Sequence, residues 1–195
     1  MSEKETTKQR MINATKELIC QGKMPSEITV ADITERASVG NGMVNYHFQS
    51  KDNLVREAVR NVTACTKKHF PEKLGAFETA PAEQRLAILL KEVLDFFSQN
   101  AEISKIAILD NLENDEGIPH LLSDVTAFND CLDELYQEET HKRWMKNYVI
   151  VGFLNHIFLK AKLIKKETGF DFYDKLERDI AVDNFIKDFI AIAKL

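Results

Sequence analysis

Apolar residues recur at three- and four-residue intervals along nearly the whole chain, the period of helices with one buried stripe. From Thr7 to about Gln21, Met11, Ala14 and Leu18 share a face with Ile12 and Ile19 beside them, and Gly22 ends the run. Val30, Ile33 and Ala37 fit one face of a short helix, and Gly42 to Phe48 a second. A longer helix from Lys51 to about Phe70 carries Leu54, Val55, Ala58, Val59 and Val62. Pro71 to Pro81, with Gly75, is the clearest boundary. Beyond it, helices are expected over 82–99, 102–112 and 121–138. A single long one should follow from His141 to Glu167, then a last one from Tyr173 to Lys194. Tyr148 to Leu163 is apolar on nearly every side, so it must be covered on more than one face. The pattern has no strand of alternating period and no internal repeat. It predicts an all-α chain of about nine helices. The expected domains are 1–50, a connecting helix at 51–70, and a larger helical body at 71–195.

The stretch Thr29–Leu54 is the most informative. Thr29 and Asp32 have the spacing of a reciprocal N-terminal cap, and Ser50 reads as the N-cap of the third helix, with Asp52 in its first turn favoured by the helix dipole. Two short helices joined by Ser38-Val39-Gly40 form a helix-turn-helix unit, whose second helix enters the DNA major groove. Val39 and Val44 are apolar where the second helix must pack on the first. Gly40 and Gly42 leave its start free of bulk, so a phosphate can approach. Asn41, Asn45, Tyr46 and His47 supply outward donors and acceptors, and Lys51 supplies a cation at the next helix start. A plain helical hairpin in a core is the bland alternative. Each glycine inside a helix costs about 1 kcal/mol unless close approach needs it, which argues against that alternative.

At these residues the sequence resembles the TetR (tetracycline-repressor-like) family of bacterial regulators. Thr29, Ile33, Ala37, Val39, Gly42, His47, Phe48, Lys51 and Leu54 fall at matching places. Ser38 stands where the family's turn glycine is usual, Gly40 where serine is, and Asn45 where tyrosine is common. The resemblance implies a DNA-binding head with the site Thr29, Asn41, Gly42, Met43, Asn45, Tyr46, His47 and Lys51. Of these, Asn41, Met43, Asn45 and Tyr46 would face bases or their flanking phosphates, and Thr29, His47 and Lys51 would hold phosphates. It implies a homodimer through the last two long helices, with Phe153, Ile157, Phe158, Ala161, Val182, Phe185, Ile186 and Phe189 at the interface. It also implies a ligand pocket in the body, for which Phe96, Phe97, Phe128, Trp144 and Tyr148 are candidates. The function implied is a transcriptional regulator, a repressor released from a near-palindromic operator in double-stranded DNA by a small hydrophobic effector. The alternative is an architectural DNA binder without ligand.

The net charge of −5 changes this picture only when divided. Met1–His69 holds 11 Lys and Arg against 8 Asp and Glu, while the remainder carries 15 against 23. A mildly basic head on an acidic body fits a DNA binder. The clusters Lys4/Lys8/Arg10 and Lys67/Lys68 flank the motif. The opening MSEKETTKQR has no apolar run, and Val149–Leu159 is too short to span a bilayer, so no signal peptide and no membrane partner are expected. Cys20, Cys65 and Cys131 are scattered, which suits a reducing cytoplasm better than a disulfide frame or a zinc site, and leaves a redox-sensing thiol as the lesser reading.

Enzyme chemistry finds little support. A di-iron helical bundle needs two Glu-x-x-His pairs, and Glu138–His141 is the one present. No phosphate-binding glycine loop, G-x-S-x-G or H-E-x-x-H occurs. Neither an enzyme, a metal nor a cofactor is expected. Asp95 lies beside Phe96, Asp110 and Glu113 near Leu109, and Asp130 near Phe128. Any one of them turned inward would favour a cationic ligand, and facing water is the bland reading.

Overall fold

A computed structural model of the protein describes residues 6–67, 77, 79–113, 126–136 and 140–193. Among these every regular element is a helix. They are α1 (Thr7–Cys20), α2 (Val30–Ala37), α3 (Gly42–Phe48), α4 (Lys51–Lys67), α5 (Ala82–Gln99), α6 (Ala101–Glu113), α7 (Thr126–Tyr136), α8 (Thr140–Leu159), α9 (Ala161–Thr168) and α10 (Lys175–Ala193). The tenth helix arises because the long helix expected over 141–167 is divided at Lys160, whose φ is −103° and ψ 12°. The amide ladder resumes on either side, Lys160 N–H donating to the His156 carbonyl at 3.0 Å and Ile164 N–H to the Lys160 carbonyl at 2.9 Å. A bend of one residue leaves the apolar period intact, which is why periodicity does not register it.

Two compact units form, and they do not follow a single cut near residue 71. The first joins Met1–Lys67 to Glu102–His120, the second Lys68–Ala101 to Leu121–Leu195. Most of the expected boundary segment, 71–81, lies outside the described residues.

In the first unit α1 lies against α2 and α4, and α3 against α4 and α2. Met11, Ile33, Val44, Leu54, Ala58 and Val59 are sealed from solvent at its centre. The same cluster takes in Ile103 and Ala107, with Ile106 packed on it, all from α6. At about 25 cal/mol per Å2 of apolar surface, each such Leu or Ile contributes roughly 1.5–3 kcal/mol. α6 therefore completes this unit's core. Its Asp110 carboxylate is buried and meets Arg56 Nε of α4 at 2.9 Å.

In the second unit α5 packs on α7, α8 and α10, and α8 on α7 and α9. Leu86, Leu90, Val93, Leu94, Phe97, Phe128, Leu132, Ile150, Leu154 and Val182 fill it. Phe158 joins this core by touching both Phe97 and Phe172, with ring centroids 5.1 and 5.5 Å apart. A partly buried polar clasp joins α5 and α10. Arg178 of α10, 4% exposed, donates to an Asp95 oxygen of α5 and to the Phe172 carbonyl at 2.7 Å. Lys175 donates to the other Asp95 oxygen at 2.7 Å. Burial alone would raise the Asp95 pKa, but the hydrogen bonds from Lys175 and Arg178 outweigh it and hold the carboxyl below its ordinary range. α9 stops at Gly169, whose φ of +81° is left-handed and natural for glycine.

Candidate nucleic-acid interface

The hairpin begins at a reciprocal cap. Asp32 N–H donates to Thr29 Oγ1 at 3.1 Å, and Thr29 N–H donates to Asp32 Oδ2 at 2.8 Å. The Thr29 hydroxyl also donates to Asp32 Oδ2 at 2.8 Å, and Lys23 Nζ lies 3.2 Å from Oδ1. Those hydrogen bonds, the Thr29 backbone one first, hold the Asp32 pKa at about 2. The Thr29 hydroxyl, expected to hold a phosphate, is thus committed to setting the entry of α2.

α2 ends on Ser38, whose φ of 52° and ψ of 52° are left-handed. Ser38 N–H donates to the Glu35 carbonyl and Val39 N–H to the Thr34 carbonyl, the paired bonds of a Schellman stop. Arg10 of α1 adds a long bond, 3.4 Å, to the Ser38 carbonyl. The turn is then tied to α2 by side chains. Thr34 Oγ1 donates to Asn41 Oδ1 at 2.6 Å. Asn41, expected to face bases, has its carboxamide oxygen turned back onto the hairpin.

α3 buries Val44 and Phe48 and sets Met43 half-buried against the core, so Met43 packs inward where the sequence reading had it facing DNA. Asn45 and Tyr46 point away from that core, and Tyr46 is 80% exposed. The Tyr46 ring meets His47 edge-on at 4.8 Å. His47 Nε2 is buried and has no hydrogen-bond partner among the described residues. Nothing lies within 4 Å of where a Cβ would stand at Gly40 or Gly42. The packing of the chain itself does not require glycine there.

α4 opens as expected: Ser50 Oγ accepts from Asn53 N–H at 3.1 Å. Lys51 Nζ donates to the Pro25 carbonyl at 2.7 Å, which fixes the ammonium beside the α1–α2 loop and leaves further N–H groups for a phosphate. Lys8 of α1 adds a cation 5.6 Å from the Phe48 ring centroid, at the end of α3. The basic cluster at the start of the chain pointed to it. The support supplied by the Pro25 carbonyl carries no sequence signal, because a carbonyl acceptor can belong to any residue.

Residues 12–58 match the family model described as "Bacterial regulatory proteins, tetR family". The match takes in most of α1, all of α2 and α3 and the first half of α4, and that part of the chain is similar to the family. The HTH-type transcriptional regulator BetI of Escherichia coli (strain K12 / DH10B) is 30% identical over 83 residues, 43% of this chain and 42% of that protein. The chain thus spans less than half the length of the relative it matches. Over nearly all of the chain the fold resembles two solved structures. One is the transcriptional regulator FadR from Bacillus subtilis in complex with stearoyl-CoA, with a TM-score of 0.66 at 17% identity, covering 91% of this chain and 96% of that one. The other is the fatty acid degradation regulator FadR from Bacillus halodurans, with a TM-score of 0.57 at 14% identity, covering 98% and 96%. At such identities these likenesses show the fold alone.

The second unit places the remaining candidates less simply. Ile157, Phe158, Ala161, Val182, Ile186 and Phe189 are buried within the chain itself. Phe153 and Phe185 are half-buried and stack on each other, 3.9 Å apart and nearly parallel. What α8 and α10 expose instead is Met145, Val149, Leu176 and Ile180, each more than half accessible. Phe97 and Phe128 are core, and Phe96 is half-buried. Trp144 and Tyr148 do not wall an enclosed pocket: both are more than half exposed and pair on the surface of α8 at 4.1 Å. The three aspartates also find other roles. Asp95 is clasped by Arg178 and Lys175, Asp110 meets Arg56, and Asp130 is exposed. None is left facing an inner space to receive a ligand cation.

Burial pushes the Cys131 thiol up, against the pull of Arg85. Cys20 is exposed, and the Cys65 side chain and Glu138 lie outside the described residues. Among the described residues no helix is long and apolar enough to cross a membrane, and no group of three or more His, Cys, Asp or Glu is placed to hold a metal ion.

Proposed function

We propose that the chain is a sequence-specific DNA-binding transcriptional regulator of the cytoplasm, a repressor that leaves its operator when a small hydrophobic ligand binds. One observation carries the DNA reading. α3 buries Val44 and Phe48 yet holds Tyr46 80% exposed, beside the bulk-free surface at Gly40 and Gly42. An exposed aromatic on a helix that opens on such bulk-free positions has no use in the chain's own packing. On double-stranded DNA, Asn45 and Tyr46 would reach base edges or their flanking phosphates, while His47 and Lys51 would hold the backbone.

A homodimer suits this role, since two heads one helical turn apart, about 34–36 Å, read a near-palindrome. The exposed apolar residues of α8 and α10 support that assembly in place of the buried phenylalanines. For the effector, the stearoyl-CoA of the Bacillus subtilis FadR complex makes a long-chain acyl-CoA the first molecule to try. Ligand and operator would oppose each other by linkage, each weakening the other by the same factor.

The test is selection from random double-stranded DNA by the full chain, followed by titration over a range of salt. A near-palindromic sequence should be enriched. Binding with no preferred sequence would sink the regulator and leave an architectural DNA binder. With the selected site, Lys51→Ala should weaken binding to all sequences alike and lower the slope of log K against log salt by about one unit. An altered base preference with the slope intact would remove Lys51 from the backbone role.

A further inference from the structure

Among the described residues, four take a positive φ. Gly22 and Gly169 are glycines, for which the conformation is free; Ser38 and Gln49 are not. These two stand one at each end of the region around α3. Ser38 has φ 52° and ψ 52°, and Gln49 has φ 66° and ψ −33°. For a residue with a Cβ both positions are strained, and the strain persists only where something recompenses it. Inside the chain nothing does so. Both residues are exposed, and neither the Ser38 hydroxyl nor the Gln49 carboxamide makes a hydrogen bond within the described residues. Their backbones do make bonds, but Ser38 N–H to Glu35 and Gln49 N–H to Asn45 are bonds a glycine would make equally well. The side chains, not the backbone, are what glycine would lose.

We infer that Ser38 and Gln49 are contacts to DNA phosphates on either side of the recognition helix, an inference that rests on the DNA reading above. A seven-residue helix is about 10 Å long. The major groove is about 12 Å wide and walled by two phosphate backbones. Side chains flanking a helix of that length, set in that groove, come to its walls, where a hydroxyl and a carboxamide N–H are neutral donors to phosphate oxygens. Neutral donors release no counterions, so these contacts add affinity without adding to the salt slope, unlike Lys51.

The experiment uses the full chain and the operator selected by wild type, with Ser38→Gly, Gln49→Gly, Ser38→Ala and Gln49→Ala. Relief of strain should raise the melting temperature of each glycine variant by about 1–4 °C. The same variants should bind operator about tenfold or more weakly, as loss of a hydrogen bond to a charged group implies, with the salt slope unchanged. The alanine variants should lose as much affinity without the gain in melting temperature. Glycine variants that are stabilised and bind as wild type would overturn the inference. So would alanine variants that keep full affinity while the glycine variants lose it, since stiffness of the turn would then be the cause. Wild-type protein that selects no DNA fails the broader reading instead, and is seen before any variant is made.

Discussion

Asp95→Ala is expected to destabilise the second unit by about 3 kcal/mol, because it strips a buried guanidinium of its counter-charge. Arg178 is 4% exposed, and its remaining partner is the Phe172 carbonyl, with the Phe172 ring 5.5 Å away. The reverse substitution, Arg178→Met, should cost less. It removes the buried charge itself and leaves Asp95 beside Lys175, which is accessible to water. Replacing both, as Asp95→Leu with Arg178→Met, should come back close to wild type, since a well-packed apolar pair often equals a buried ion pair. Urea denaturation of the three variants measures this order. Asp95→Ala as mild as Arg178→Met would show that water reaches the clasp. The pH dependence has a definite sign. Asp95 is held below its ordinary range, so its contribution is complete above the unfolded value of about 3.9 and is lost as pH falls below that. Wild type should therefore lose stability below about pH 4 more steeply than Asp95→Ala.

Charging the exposed apolar residues of α10 should undo assembly and operator binding together. Leu176 is 69% exposed and Ile180 51%, one helical turn apart on the same side of α10. Leu176→Asp with Ile180→Asp puts two carboxylates where the proposed partner would sit, at little cost to the fold because neither residue is core. Light scattering should then give the mass of one chain, with helix content by circular dichroism unchanged. Affinity for the full near-palindrome should fall by about 10²–10⁴, the advantage of tethering two heads, while affinity for a single half-site stays the same. A variant that remains dimeric places the interface elsewhere. A monomer that still binds the palindrome with wild-type affinity would show that the heads act singly.

Much of this architecture was legible from local chemistry. The Thr29–Asp32 cap, the Ser50 cap and the Gly169 stop are made within a few residues, so spacing alone reveals them. Amphipathic periods likewise located nearly all helices. They tell which residues are buried but not against what. α6 reads as one more body helix, and nothing in Ile103, Ile106 or Ala107 announces that they close the core of the first unit. On helices apolar on several sides, sequence reading favours the bulkiest residues, and Phe158, Ile186 and Phe189 turn out to fill their own chain. Asp95 and Arg178 lie far apart in sequence, and a pair at such separation leaves no periodic trace. On α3 the register was right while the roles were mixed. Tyr46 and Asn45 face outward, but Met43 turns to the core, and Asn41 is taken up by Thr34, seven residues earlier.

The place of α6 has a further consequence for how the protein is made. The chain leaves the first unit after α4, builds α5 in the second, and only then supplies Ile103 and Ala107 to the core it left behind. On the ribosome, the side of the first unit that α6 closes stays uncovered until those residues emerge, although α1 to α4 are already out. An N-terminal head that looks portable in the sequence is thus finished late, by a piece arriving from downstream. Cutting the chain after α4 yields a fragment that lacks part of its own interior, and grafting those four helices onto another body would carry the motif without its last wall.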